Sequence, residues 1–304
     1  MNCAACYSRS AFICVYCSIL FSATALATEN GQQSYPIGSN TVLSGIIPDR
    51  GKTQFYNYSA YYHADKFAGN HGESAVPGFK ADVLVDALRV VHTWDIPSGP
   101  FELASGIVVP FVHSKLSVPV GRDSRGGLGD IVLHGLYVGY KKPEAGLFSF
   151  LALDFALPTG SFSENRIANN GLNTYGFMPN VNLTWFPLPR TELSATLGYE
   201  INSPNRETNY HSGNVAFLDW VAGYSVLPNL QIGLQGYALR QTTDDKLNGE
   251  IVGEGFRGQV FAIGPQVRYN FSREAGIILK WQSEFNVRNR PEGDKLWVQF
   301  SFPL

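Results

Sequence analysis

An all-β fold, a transmembrane β-barrel of the bacterial outer membrane with about 12 antiparallel strands, is what this 304-residue sequence predicts. Three observations point to it. The first 27 residues read as an export signal. No later stretch approaches the roughly 18 uninterrupted apolar residues of a spanning helix. Instead, segments of about ten residues alternate apolar and polar side chains, and the connections between them alternate short and long.

The leading segment carries one charge, Arg9, and no acid. From Ala11 it runs "AFICVYCSILFSATALA", then turns polar at "TENGQQ". Ala25-Leu26-Ala27 has the small-x-small form of a signal peptidase site, so cleavage is expected after Ala27. A lipoprotein anchor is not expected, because Ile13 precedes Cys14 and Tyr16 precedes Cys17, where a lipobox wants a small residue. All four cysteines, Cys3, Cys6, Cys14 and Cys17, lie in this segment. The chain left after cleavage therefore has no disulfide staple, cysteine metal site or thiol nucleophile. Loss of Arg9 takes the 23 basic residues to 22, against 25 acids, a formal charge of −3. That balance makes no case for nucleic acid. Three regions follow: a signal peptide at 1–27, an N-terminal segment at 28–51, and a barrel at 52–304. The middle region, punctuated by Gly, Pro and Ser, reads either as a periplasmic tail or as a plug folded into the barrel mouth.

Period-two alternation places the strands. In "TELSATLGYEIN" the apolar set is Leu193, Ala195, Leu197, Tyr199 and Ile201, a spacing no helix gives. In "NLQIGLQGYALR" it is Leu230, Ile232 and Leu234, with Gln231, Gln235 and Tyr237 facing the other way. In "AGIILKWQSEFNVR" Ile277, Leu279, Trp281, Phe285 and Val287 oppose Lys280, Gln282, Glu284, Asn286 and Arg288. Twelve segments are expected near 53–62, 80–93, 101–113, 128–140, 147–157, 174–186, 191–202, 214–224, 230–240, 258–271, 276–288 and 295–304. Short connections such as "KKPEAG", "PLPR" and "SRE" alternate with long ones at 63–79, 114–127, 158–173, 203–213 and 241–257; "NRPEGD" (289–294) falls on the long side. An even strand count then puts both termini with the short turns, in the periplasm. A soluble sandwich would also alternate. Here, though, the apolar faces carry aromatics toward their ends, as membrane girdles do: Tyr56 and Tyr62, Phe101 and Phe111, Tyr175 and Trp185, Tyr269 and Phe271.

Two strands need separate treatment. In "FKADVLVDALRVVHTW" the apolar set Val83, Val85, Ala87 continues to Arg89. A lipid-facing arginine at mid-depth costs about 2–4 kcal/mol. A β-bulge near Leu88 is therefore expected, turning Arg89 inward toward Asp82 and Asp86. The final strand, "LWVQFSFPL", sets Leu296, Val298, Phe300, Phe302 and Leu304 toward lipid. Such a terminal strand, 296–304, is the segment that barrel-assembly machinery engages. Pro303 cannot donate to the closing seam, so pairing with the first strand is expected to stop by Phe302.

Parity assigns the lumen. Its acids are Asp82, Asp86, Asp130, Asp154, Glu192, Glu200, Asp219 and Glu284; its bases are Arg89, Arg268, Lys280 and Arg288. His63, His92 and His134 join them, with Asn180, Asn182, Gln231, Gln235 and Gln266. Buried charges are normally paired, so most should form a satisfied network. The surplus of acids also allows a path that favours cations or hydrogen-bond donors. Phe55, Tyr61, Phe148, Phe150, Tyr237 and Trp297 are assigned inward as well. Such aromatics suit a barrel that passes hydrophobic molecules, or they simply fill it. About 8 strands are filled by side chains while about 16–18 leave an aqueous channel, and twelve lies between.

Several pieces resemble an outer-membrane family, the proteins of the meta pathway of phenol degradation, which has a branch linked to sphingosine uptake. They are "ENGQQSYPIGSN" after the signal, "GLGDIVL" (127–133), "LPTGSF" (157–162), "SGNVAFLDWVAGYSV" (212–226) and "AIGPQVRY" (262–269). The resemblance implies a channel for hydrophobic or aromatic molecules: phenolic compounds, long-chain lipids or sphingoid bases, taken up for catabolism. "GLGD" makes a tight entry into a strand and sets Asp130 beside His134 on the lumen face; the proline of "LPTG" ends a strand.

Two alternatives are a general small-solute porin and a phospholipase-like barrel enzyme. The enzyme needs a Ser, a His base and an orienting group on neighbouring strands. The nearest set is His211, Ser212 and Asn214, but adjacent residues of a strand point to opposite faces. Six scattered histidines have no zinc-ligand spacing, and no cofactor is expected. The expected partners are outer-membrane lipid, a hydrophobic small-molecule substrate and the assembly machinery. The substrate path is expected to run past Asp82, Asp86, Asp130, His134, Asp154 and Asp219, with Phe148, Phe150 and Tyr237 as apolar contacts and Arg268, Lys280 and Glu284 among its charges.

Overall fold

The computed structural model describes residues 31–304; the predicted signal peptide and residues 28–30 lie outside the described residues. Its strands are β1 (Thr53–Ala68), β2 (Lys80–Thr93), β3 (Phe101–Val118), β4 (Gly121–Leu128), β5 (Ile131–Lys142), β6 (Leu147–Leu157), β7 (Gly176–Trp185) and β8 (Thr191–Asn202). They continue with β9 (Tyr210–His211), β10 (Val215–Leu227), β11 (Leu230–Gln241), β12 (Lys246–Leu247), β13 (Glu250–Ile251), β14 (Gln259–Asn270), β15 (Gly276–Arg288) and β16 (Arg290–Pro303). Antiparallel neighbours run from β1 round to β16, and β16 pairs back onto β1, so the barrel closes and only the projecting β4 keeps an unpaired edge in this sheet. β4 pairs with the far half of β3 and β5 with the near half. The two share one position in the wall, interrupted at Gly129-Asp130, and the barrel has twelve staves. Each expected segment falls on one of them. The short strands β9, β12 and β13 form a separate small sheet among the loops.

The loop rhythm holds, with differences at three of the long connections: β1 runs on to Ala68, and two more follow. Residues 114–127 are mostly strand: β3 runs on to Val118 and β4 begins at Gly121, making a projecting hairpin. Its sequence "RDSRGGL" shows no apolar alternation, because neither face is buried in lipid. Residues 290–294 likewise belong to β16, and Asn289, at φ +51°, makes the turn with β15 alone. Asn tolerates that left-handed conformation.

The bulge expected at Leu88 does not form. β2 pairs without a register break against β1 from Ala81 to His92 and against β3 from Lys80 to Thr93. Arg89 still points inward, donating to Tyr58 Oη and Tyr137 Oη. Regular alternation then carries Val83, Val85 and Ala87 inward with it, and they line an internal cavity. The consequence is a correction: Asp82 and Asp86 lie on the outer face. Asp86 accepts from Asn57 Nδ2 at 2.7 Å and Ser59 Oγ at 2.8 Å. Asp82 bonds Tyr61 Oη at 2.7 Å and His63 Nδ1 at 2.8 Å. Parity on β1 is inverted in the same way. Phe55 packs outside against Phe302 and Tyr61 is exposed, whereas Tyr56 and Tyr62 line the interior. His63 is exposed and His92, with the parity of Asp86, also faces out. The polar-in rule fails here because these staves wall an apolar part of the lumen.

A bulge does occur in β15. Gln259 pairs with Arg288 and Phe261 with Phe285, one extra residue on β15, where Asn286 has φ +51°. Beyond it Val287 turns into the core and Arg288 turns out, opposite to the expectation. The closing seam also runs further than Pro303 suggests. Gln54 faces Pro303, and Leu304 N donates to Thr53 O at 3.0 Å. In an antiparallel ladder only alternate residues of a strand donate to a given neighbour. Pro303 occupies a position from which no bond is asked.

Outside β1, β2 and the end of β15 the outward apolar positions are as read. Leu193, Leu197, Ile232, Leu234, Leu296 and Phe300 are exposed, while Trp297 and Gln299 are buried. The outward placement of Asp86 is testable with cysteine scanning in membranes. Asp86→Cys should react with a lipid-partitioning maleimide and Val85→Cys should not, read against the unsubstituted chain. Equal labelling, or the reverse order, contradicts this orientation.

Candidate functional site

The lumen is occupied by the chain's own N-terminal segment. Gly31 lies against Arg290 and Pro291, beside the Asn289 turn, and Lys52 leads into β1 at the opposite, short-turn end. Residues 31–52 therefore thread the barrel end to end. A backbone inside a barrel must find partners for every N–H and C=O that its own secondary structure does not satisfy. The inward faces supply them. Glu200 accepts from Ser34 N and Tyr35 N, both at 2.9 Å. Asp219 accepts from Gly38 N at 2.8 Å, and from Asn40 N and Tyr35 Oη at 3.1 Å. Glu192 accepts from Leu43 N at 2.7 Å, and Thr184 Oγ1 from Gly45 N at 2.9 Å. Lys280 Nζ donates to Gly38 O, Ser39 O and Thr41 Oγ1. Gln282 and Gln299 reach Gly38 O and Ser39 O. All three Lys280 protons and both oxygens of each carboxylate are engaged.

The fit is close enough to require glycine. Gly38 has φ +84°, and a Cβ there meets the Gln282 amide and the Tyr237 ring. A Cβ on Gly45 meets backbone atoms of Thr184 and Phe148. Tyr35 stacks on Phe217, its centroid 3.7 Å from the neighbouring ring. The buried Tyr35 hydroxyl donates to Asp219 from beneath this stack.

A second network crosses the lumen beside the thread. Arg89 Nε donates to His134 Nε2 at 3.0 Å. That makes Nε2 an acceptor, so the His134 proton sits on Nδ1 and is donated to Asp154 Oδ1 at 2.7 Å. Asn180 Nδ2 donates to Asp154 Oδ2, Asn182 Nδ2 to Asn180 Oδ1, and Asn40 Nδ2 to Asn182 Oδ1. The chain thus links β2 to the threaded segment through β5, β6 and β7.

Among the described residues two cavities border the thread. One, about 390 Å³, opens at the short-turn end between residues 39–49, Tyr56, Tyr58, Phe148 and Arg268. The other, about 360 Å³, lies toward the long loops. Its wall is Val83, Val85 and Ala87 of β2, Val108, Pro110 and Val112 of β3, and Val132 of β5, closed by Tyr35, Ile37, Tyr62 and Trp297. Its polar groups are few: Asp130, Glu284, Arg290 and Lys295 are the charged ones. An apolar cavity of this size with a few converging polar groups is the usual form of a small-molecule site.

Of the residues expected along a path, ten lie in or at the lumen. His134, Asp154, Asp219, Arg268 and Lys280 are buried in the networks; Phe150 stacks on Tyr137, and Tyr237 donates to Glu284. Phe148 lines the short-turn cavity, and Asp130 and Glu284 line the other. Asp130 also pins the long loop after β6, accepting from Gly160 N at 2.8 Å and Leu172 N at 2.7 Å. Asp82 and Asp86 are outside, as described. Sequence reading missed Lys295, Arg290 and the aliphatic inner face of β2. The signal for the last was Arg89, in register with Val83, Val85 and Ala87.

A closed twelve-stave barrel with an apolar outer belt defines an outer-membrane protein, and the comparisons say which kind. Residues 64–300 match the family described as "Putative MetA-pathway of phenol degradation", and the chain belongs to that family. Among solved structures it is similar to an outer membrane channel from Pseudomonas putida F1, with a TM-score of 0.75, 16% identity, and coverage of 86% of this chain and 97% of that one. The beta domain of the Bordetella autotransporter Brka is more distant, at a TM-score of 0.52, 12% identity and coverage of 84% and 100%. A sequence search of curated proteins returned no match. The protein resides in the outer membrane, where the barrel places its apolar belt in lipid.

The carboxylate that binds most of the thread is the sharpest test of this arrangement. Asp219→Ala strands two backbone N–H groups and the Tyr35 hydroxyl. Breaking one partner of such a buried network costs about 3–5 kcal/mol. A fall of that size is expected in stability against urea, followed in micelles by the heat-modifiable gel mobility of the barrel. A change below about 1 kcal/mol, the scale of an exposed pair, contradicts it.

Proposed function

We propose that the protein is an outer-membrane channel for hydrophobic or aromatic small molecules, feeding their catabolism. The observation that carries this is the cavity walled by the inner faces of β2 and β3. Inside a barrel whose other staves present amides and charges, this sector presents valine, alanine and proline. A hydrophilic solute gains nothing from such a wall; a phenolic compound, a long-chain lipid or a sphingoid base does. Membership of the phenol-degradation family supports the same reading.

In this reading residues 31–52 act as a plug, and transport requires the thread to shift. Residues 1–27 are an export signal cut after Ala27, the short turns and both chain ends face the periplasm, and strand 296–304 is the recognition element for assembly. The protein is not an enzyme in this reading. His211 Nε2 is held by Asn202 O at 2.8 Å, which leaves the His211–Ser212 neighbours without the geometry of a triad. A general small-solute porin is disfavoured because the thread fills the middle of the lumen.

Growth of a deletion strain on a phenol, a long-chain fatty acid or a long-chain base as sole carbon source tests the function. Slower growth than wild type on at least one, restored by the gene on a plasmid, is expected. Wild-type growth on all three counts against transport. Removing residues 34–48 should raise single-channel conductance in planar bilayers several-fold; unchanged conductance argues against a plug.

A further inference from the structure

Which molecules the long-loop cavity takes depends on which of its polar groups still have bonding capacity. Each carboxylate oxygen of the acids on its wall already accepts a bond. Glu284 accepts from Tyr62 Oη, Tyr237 Oη and Gly293 N. Asp130 accepts from Gly160 N and Leu172 N. The bases are less fully used. Lys295 Nζ donates to the Ile37 carbonyl at 3.1 Å, its one hydrogen bond among the described residues, and an ammonium has three protons to give. The rings of Tyr237, Tyr62 and Trp297 surround it at 4.8, 5.6 and 5.8 Å, which holds the charge in place without using its protons. Arg290 is 7% exposed; it donates from Nη2 to Gln33 Oε1 at 2.6 Å, and its Nε has no partner.

We infer that this cavity binds amphipathic acids: an apolar body against the valines of β2 and β3, and a carboxylate on Lys295 and Arg290. The inference rests on the channel reading and narrows it, since a sphingoid base brings its amine to a wall whose carboxylates are already satisfied. It also reverses the sign expected from the count of acids in the lumen. Glu192, Glu200 and Asp219 are spent on the backbone of the thread, and Asp130, Asp154 and Glu284 on the barrel's own side chains and loops, so what is left over is donors. Arg268 repeats the pattern in the short-turn cavity. It is 8% exposed, donates from Nη1 to Glu192 at 2.7 Å, and its Nε is without a partner. An acid leaving the first station therefore finds a second beyond the thread.

Three ligands with one body separate the possibilities: 4-phenylbutanoate, 4-phenylbutan-1-ol and 4-phenylbutylamine. Each is titrated calorimetrically into the full barrel in zwitterionic nanodiscs, against empty nanodiscs. The acid is expected to bind at least about tenfold more tightly than the alcohol, the lower end for charged hydrogen bonds. The amine is expected to be no tighter than the alcohol. Lys295→Gln should remove the acid's advantage and leave the alcohol's affinity within about twofold, and Lys295→Arg should restore it. Equal affinities for acid and alcohol, a preference for the amine, or an acid preference that survives Lys295→Gln overturns the inference while leaving a hydrophobic channel intact. Binding of none of the three counts against the channel reading itself. If Lys295→Gln does not fold, as judged by gel mobility, Lys295→Met takes its place, and the wild-type ranking decides independently.

Discussion

The structure depends on how an irregular backbone is accommodated inside a closed barrel. Residues 31–52 contain no ladder that could absorb their N–H and C=O groups, and the closed wall around them offers no free strand edge. The solution is a set of buried ions. Glu192, Glu200 and Asp219 take N–H groups, and Lys280 takes carbonyls. Each ion alone is costly to bury, and each is tolerable because its full complement of bonds is met. Charge in this lumen is therefore first a device for holding a segment of chain, and only what is left over is available to a ligand.

That use of the polar staves explains why the apolar cavity lies where it does. The thread is bound by β7, β8, β10, β15 and β16. The opposite side, β1 to β3, touches it less and is free to carry valine and alanine inward. Alternation then obliges the outer face of β2 to take the intervening residues, Asp82 and Asp86 among them. Their bonds to Tyr61, His63, Asn57 and Ser59 contain a cost that the lipid-facing position imposes.

The same inversion marks the limit of what the sequence discloses. The twelve staves are legible because lipid and lumen impose period two on every strand. Which face is which is not contained in the period. The assumption that apolar means outward works for β8 and β11, where Leu193, Leu197, Ile232 and Leu234 meet lipid. It fails for β2, where Arg89 shares a face with Val83 and Val85. A bulge and an inverted strand both explain an arginine in an aliphatic set, and the ladder chooses the second. The bulge at Asn286 in β15, one of several register shifts in the ladder, carries only a single asparagine as its signature. The thread was half legible: its length and punctuation announce a folded segment, but its carboxylate partners are more than 140 residues away. Lys295 and Arg290 were not legible at all as ligand groups, because what distinguishes them from Lys280 is the number of bonds left unmade.

The thread and the free donors also bear on each other. Arg290 touches Gln33 and Lys295 touches Ile37, both on the segment that fills the lumen. A carboxylate arriving at these two cations competes for protons that now help to anchor residues 33–37. On the acid-site inference, binding there competes with the bonds to Gln33 and Ile37, while the bonds of Asp219 and Lys280 to the middle of the thread are not involved. A shift of the thread is then expected ahead of Gly38, where the charged groups that grip it are Glu200, Arg290, Lys295 and, through the Tyr35 hydroxyl, Asp219. A ligand can differ in affinity for two states of a protein only through the contacts that differ between them, and here those contacts are the bonds to Gln33 and Ile37.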